Sequence, residues 1–157
     1  MGSFPVSFII GDVMMEFSSD SGTFQVSKNF IISSKMNMKD ILGQNVVWEE
    51  WFPRVNGIVL NYRTVIDIPN GSEKLTIIIH FNSESAGSST IKSWLCAPTH
   101  QFYGIQKMPD GQLTKAIRKW FQSKTGVVLP VREKWGKIDA AYDPHNQTAE
   151  IVCNYYK

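Results

Sequence analysis

Residues 58–81 alternate so regularly between apolar and polar side chains that they constrain everything else this chain can do. In the first arm Ile58, Leu60, Tyr62, Thr64, Ile66 and Ile68 share one face, with Asn61, Arg63 and Asp67 on the other. In the second arm Leu75, Ile77, Ile79 and Phe81 alternate with Lys74, Thr76, Ile78 and His80. Side chains of an extended strand point to opposite faces in turn, so this period of two predicts a long β-hairpin. Pro69-Asn70-Gly71-Ser72 supplies its reversal, with φ fixed at proline and a positive φ open to glycine. Burying the four apolar side chains of the second arm is worth roughly 6–12 kcal/mol, comparable to the net stability of a whole domain. The hairpin therefore has to be covered. Its other face is not simply polar, because Val59, Val65 and Ile78 lie there. Either loops cover that second face or part of it is kept for another protein.

Strand-like alternation precedes the hairpin at Phe4, Val6, Phe8 and Ile10 and again at Val13, Met15 and Phe17. Ser18-Ser19-Asp20-Ser21-Gly22 reads as a turn, and residues 24–33 as one further strand ending in Phe30-Ile31-Ile32. Asn37 is a good N-cap for a two-turn helix carrying Met38, Ile41 and Leu42 and closed by Gly43. Residues 46–52 gather aromatics in either a strand or a helix, so they read as irregular up to Pro53. After the hairpin, residues 82–90 form the longest polar loop and the best candidate for mobility, followed by a strand over residues 91–97. A second helix over residues 112–124, with Asp110 as its cap, has Leu113, Ala116, Ile117, Trp120 and Phe121 at i, i+3, i+4, i+7 and i+8, and Gly126 closes it. Residues 127–131 suggest an edge strand or bulge because of Pro130. Ile138, Ala140 and Tyr142, then Ala149, Ile151, Cys153 and Tyr155, predict a closing hairpin around Asp143-Pro144-His145-Asn146.

These elements predict an α+β chain in which an antiparallel sheet carries two short-to-medium helices. At 157 residues the chain has room for one well-filled core, so residues 1–157 are expected to form a single domain. Residues 30–82 and 102–156 repeat one grammar of strand end, cap, helix, Trp-containing passage and hairpin. The reading is two tandem α-β-β units sharing one sheet, against the alternative that α+β chains of this size show such likeness by chance.

The chemistry of known catalytic motifs is missing. There is no G-x-S-x-G elbow, Walker loop, dinucleotide glycine pattern or H-E-x-x-H, so the chain is expected not to be an enzyme and to need no cofactor. His80, His100 and His145 are far apart with no ligand at zinc spacing. Cys96 and Cys153 read as small buried hydrophobes, with a single bridge as the alternative. A formal charge of +2 does not call for a polyanionic partner. No apolar run is long enough for a membrane-spanning helix, and the first residues lack the build of a secretory leader, so a cytoplasmic protein is expected, periplasmic if a leader was removed. Two surfaces remain as candidates. Trp48, Glu49, Glu50, Trp51 and Arg54 have the make-up of an interface core with a charged rim. Lys115, Arg118, Lys119 and Lys124 form a basic helix face that could instead meet the phosphates of a nucleic acid. A third reading, a small-molecule-binding or enzymatic domain, requires a deep polar-lined pocket.

The runs Phe30-Ile31-Ile32, Met38-Lys39-Asp40-Ile41-Leu42-Gly43, Asn56-Gly57-Ile58-Val59-Leu60 and Leu75-Thr76-Ile77-Ile78-Ile79 resemble small bacterial immunity proteins that neutralise toxins delivered by type VI or contact-dependent secretion. Phe102-Tyr103-Gly104-Ile105 and Ala141-Tyr142-Asp143 are similar to a repeat seen in some of them. The resemblance implies a non-catalytic protein-binding module whose partner is a cognate toxin or effector. The near-neutral charge departs from the strongly acidic immunity proteins that block nucleases, so a nuclease target is not implied.

Overall fold

The expected hairpin forms as strands β5 (Asn61–Asp67) and β6 (Lys74–Phe81), antiparallel, with Tyr62 opposite Ile79 and Thr64 opposite Ile77. It is one part of a computed structural model that describes residues 15–68, 73–83, 89–99 and 110–156. The alternation at Phe4 to Val13, the hairpin tip at 69–72, the middle of the polar loop, residues 100–109 and the Asp110 side chain lie outside the described residues.

Before the hairpin come β1 (Glu16–Ser18), β2 (Thr23–Ser27) and β3 (Phe30–Ile32), then helix α1 (Met38–Leu42) and strand β4 (Glu49–Trp51). After it come β7 (Ile91–Pro98), helix α2 (Asp110–Thr125), β8 (Val131–Glu133), β9 (Gly136–Asp143) and β10 (Thr148–Tyr155). The first three strands form a small sheet, and the other seven form a large antiparallel sheet in the order β4-β5-β6-β7-β10-β9-β8. The two hairpins thus flank β7 in a single layer. The fold is α+β, as expected.

Local chemistry explains the parts that match. Asn37 accepts from the Asp40 backbone N–H at 2.9 Å while Asp40 accepts from the Asn37 N–H, a reciprocal capping box that starts α1. The α2 stripe is buried where its spacing predicts: Leu113, Ile117 and Phe121 are fully enclosed and Trp120 nearly so.

Other expectations are corrected. Residues 24–33 are not one strand but the β2–β3 hairpin, which turns at Lys28-Asn29. The passage at 46–52 is not irregular throughout, since Glu49–Trp51 pairs with β5. Residues 127–130 lie outside any strand, and β8 begins only at Val131, after the proline that cannot donate to a ladder. Ile58 does not belong to the apolar row. It is exposed and closes a separate tight turn with Val55.

One face of the large sheet is covered by α2 and the small sheet. Rows of core side chains cross it from strand to strand, such as Tyr62, Ile79, Trp94, Cys153 and Ile138. Phe24 of the small sheet stacks on Trp94 at 4.8 Å, and Phe17 meets Phe121 of α2 edge-on at 5.9 Å. The layers are also tied by polar bonds: Trp94 Nε1–H donates to the Tyr155 hydroxyl at 2.9 Å, which donates to the Gly22 carbonyl at 2.7 Å. Trp135 Nε1–H donates to the Ser19 carbonyl at 2.8 Å, with its ring over Gly22. A Cβ at Gly22 would come within 2.4 Å of that ring, and the residue has φ +71°. Only glycine fits there.

Candidate functional site

The other face of the large sheet has no helix or strand packed on it among the described residues. The register that buries Ile77, Ile79, Trp94 and Cys153 puts their sequence neighbours on this opposite side. Arg63, Ile78, Leu95, Val152 and Asp139 form one cross-strand row, and Asn61, His80, Ser93, Asn154 and Lys137 the next. Ile78, Leu95 and Val152 are half-buried. Three shallow hollows lie along the face. One of about 230 Å³ is lined by Trp51, Phe52, Ile78, His80 and Leu95. One of about 430 Å³ lies between Arg132, Lys137, Ala141 and Val152. The third, about 220 Å³, adjoins Arg63, Thr76 and Glu150. All three are open hollows rather than enclosed cavities.

The β4 edge forms the aromatic wall of this face. Glu49 pairs in register with Arg63 and Trp51 with Asn61, so both project outward. Glu49 forms an ion pair with Arg63, whose guanidinium carbon lies 4.8 Å from the Trp51 ring centre. Trp51 stacks on Phe52 at 4.9 Å, and Glu50 binds Arg54 at 2.8 Å. Of the five interface residues expected from sequence, Glu49 and Trp51 therefore share the open face, whereas Glu50 pairs with Tyr62 on the other side of the strand, where it holds Arg54. Trp48 likewise turns away, because alternation along β4 sends it to the covered side, where it meets Phe30 edge-on at 5.6 Å. Its indole N–H finds no acceptor among the described residues. Sequence reasoning missed Arg63, Leu95 and Val152, which come to this face only through strand register, and Val55 and Ile58 on the adjoining loop.

Titrating groups on the face are perturbed by their surroundings. Burial, helped by the Lys92 charge, lowers the His80 pKa below its ordinary value, which favours the neutral ring beside the Asn61 carboxamide oxygen. Burial, then the Asp143 charge, pushes Glu150 up to about 7. On the covered side Cys96 and Cys153 are free and fully buried; burial raises both thiols, Cys153 to about 12, which keeps them unreactive.

The basic helix face is partly used inside the molecule. Arg118 binds both carboxylate oxygens of Asp139, at 2.9 and 3.1 Å, and Lys124 lies 3.2 Å from Glu73. Lys115 and Lys119 stay exposed. Among the described residues no group of three or more His, Cys, Asp or Glu side chains could hold a metal ion, and no helix is long and apolar enough to cross a membrane.

No curated protein matches the sequence. A solved structure of Rhs1-CT in complex with cognate immunity protein RhsI1 contains a chain 36% identical to this one, with a TM-score of 0.79, over 90% of this chain and 87% of that one. The family model for the RhsI1 immunity protein matches residues 15–157, which takes in every described element from β1 to β10. The resemblance to toxin-immunity proteins seen in short runs of sequence thus extends along the whole described chain, which belongs to the RhsI1 immunity protein family.

Proposed function

We propose that this protein neutralises a cognate toxin by binding it stoichiometrically and does no chemistry of its own. The observation that carries the reading is its likeness, at 36% identity, to a chain in the solved complex of Rhs1-CT with its immunity protein. The surface it would use is the open face of the large sheet together with the β4 edge, where Glu49 and Trp51 stand beside Ile78, Leu95 and Val152 and the Glu50–Arg54 pair lies at the rim. Seven strands spaced about 4.8 Å apart make a platform roughly 29 Å across, the scale of a standard protein interface. Its inner strands carry Ile78, Leu95 and Val152 interspersed with His80, Ser93 and Glu150, a mixture of apolar and polar groups that suits a binding surface. We place its action in the cytoplasm, where a reducing environment would keep Cys96 and Cys153 as the free thiols they are here.

The test is to mix the purified protein with its cognate toxin and follow both complex formation and toxin activity. A one-to-one complex whose formation abolishes that activity is expected. Toxin that stays fully active beside an excess of protein, with no complex at micromolar concentrations, overturns the proposal.

A further inference from the structure

Leaving β4, the chain runs through an exposed turn before it enters β5. Phe52 is 70% exposed, Ile58 56% and Val55 38%, three large apolar side chains within residues 52–58. Single exposed apolar residues are ordinary, but a cluster on one projecting segment marks a contact surface.

This segment is also held still. Val55 and Ile58 exchange backbone hydrogen bonds at 2.9 and 2.8 Å, and between them Asn56 and Gly57 have φ values of +50° and +78°, the positive pair of a type I′ turn. Arg54 braces the turn from its surface, reaching Glu50 at 2.8 Å and the Gly57 carbonyl at 3.5 Å. The Asn61 side-chain amide donates to the Pro53 carbonyl at 3.2 Å, and Phe52 lies on the Trp51 ring. A surface already in its bound shape loses less conformational entropy when a partner arrives. Its charges are spent locally: Glu49 on Arg63 and Glu50 on Arg54, two acidic and two basic groups that cancel.

We infer that Phe52, Val55 and Ile58 form a preformed apolar anchor that seats in an uncharged groove of the cognate toxin; this rests on the toxin-binding reading above. An internally neutralised rim offers nothing for an oppositely charged surface to steer by, so the complex owes its strength to apolar burial and keeps it in salt.

Calorimetric titration of the full chain with purified cognate toxin, at about 0.05 and 0.5 M salt, tests this. Wild-type affinity is expected to change by less than about threefold between the two. The double variant Phe52→Ala/Ile58→Ala should bind about 100-fold or more weakly, with unchanged thermal unfolding because both side chains are exposed. Gly57→Val, which strains the turn without touching the anchor side chains, should weaken binding by about fivefold to tenfold. Lys115→Ala/Lys119→Ala should leave affinity unchanged. A double variant that binds within about threefold of wild type, or a wild-type affinity that falls more than about tenfold with salt, overturns the anchor while leaving toxin binding intact. A wild-type protein that binds no toxin at either salt overturns the toxin-binding reading, and the anchor with it.

Discussion

The two faces of the large sheet are written by the same strands, one residue out of step, yet they have opposite fates. On one, Leu75, Ile77, Ile79, Cys96, Ile151 and Cys153 are sealed beneath α2 and the small sheet. On the other, Ile78, Leu95 and Val152 lie half-exposed among Arg63, His80 and Glu150. Apolar content alone does not separate them. What separates them is a second layer: side chains of the small sheet and α2 interdigitate with the first face, whereas the open face carries ionisable groups between its apolar ones, a mixture that resists internal packing but suits a partner's surface. The sealed side therefore sets stability and the open side is free to be set by recognition.

Substitutions can break that division of labour. The largest effect on folding should come from Trp94→Ala, which removes the side chain under Phe24 and the N–H that the Tyr155 hydroxyl accepts, at a cost of about 3–5 kcal/mol in chemical denaturation. Leu95→Lys, its immediate neighbour on the opposite face, should cost less than about 1 kcal/mol while weakening toxin binding by tenfold or more. Equal losses of stability from the two would refute the contrast. A smaller, pH-dependent effect is expected at Glu150. Its folded pKa of about 7 lies above the ordinary carboxylate range, so the folded state holds this proton more tightly than the unfolded one. The contribution to stability is complete below the ordinary range and is lost as pH rises through about 7. Glu150→Gln should accordingly raise the melting temperature by a few degrees at pH 8 and much less at pH 5.

Much of the sealed side was legible in the sequence because it rests on local rules. The period of two in β5, β6, β9 and β10, the cap at Asn37 and the stripe from Leu113 to Phe121 each encode their own element. The misread segments lack such self-sufficiency. Glu49-Glu50-Trp51 has no apolar alternation, and its strand exists because β5 offers it an edge. The β2–β3 reversal at Lys28-Asn29 lacks glycine or proline, so the strand-like pattern runs through it without a break. Ile58 continues the alternation of the long hairpin, but Asn56-Gly57 just before it is a strong turn signal that sets it apart. The site itself was half-legible. Glu49, Glu50, Trp51 and Arg54 are close in sequence, whereas Arg63, Leu95 and Val152 meet only through the pairing of β5, β6, β7 and β10.

The position of β10 has a consequence for cooperativity. This strand sits between β7 and β9 inside the large sheet, and it supplies the tyrosine that joins Trp94 to Gly22. It is therefore the seam between the β5–β6–β7 and β9–β8 parts of the sheet and, through Tyr155, the tie to the small sheet. Loosening β10 unfastens three parts of the molecule at once, so they melt together rather than one after another.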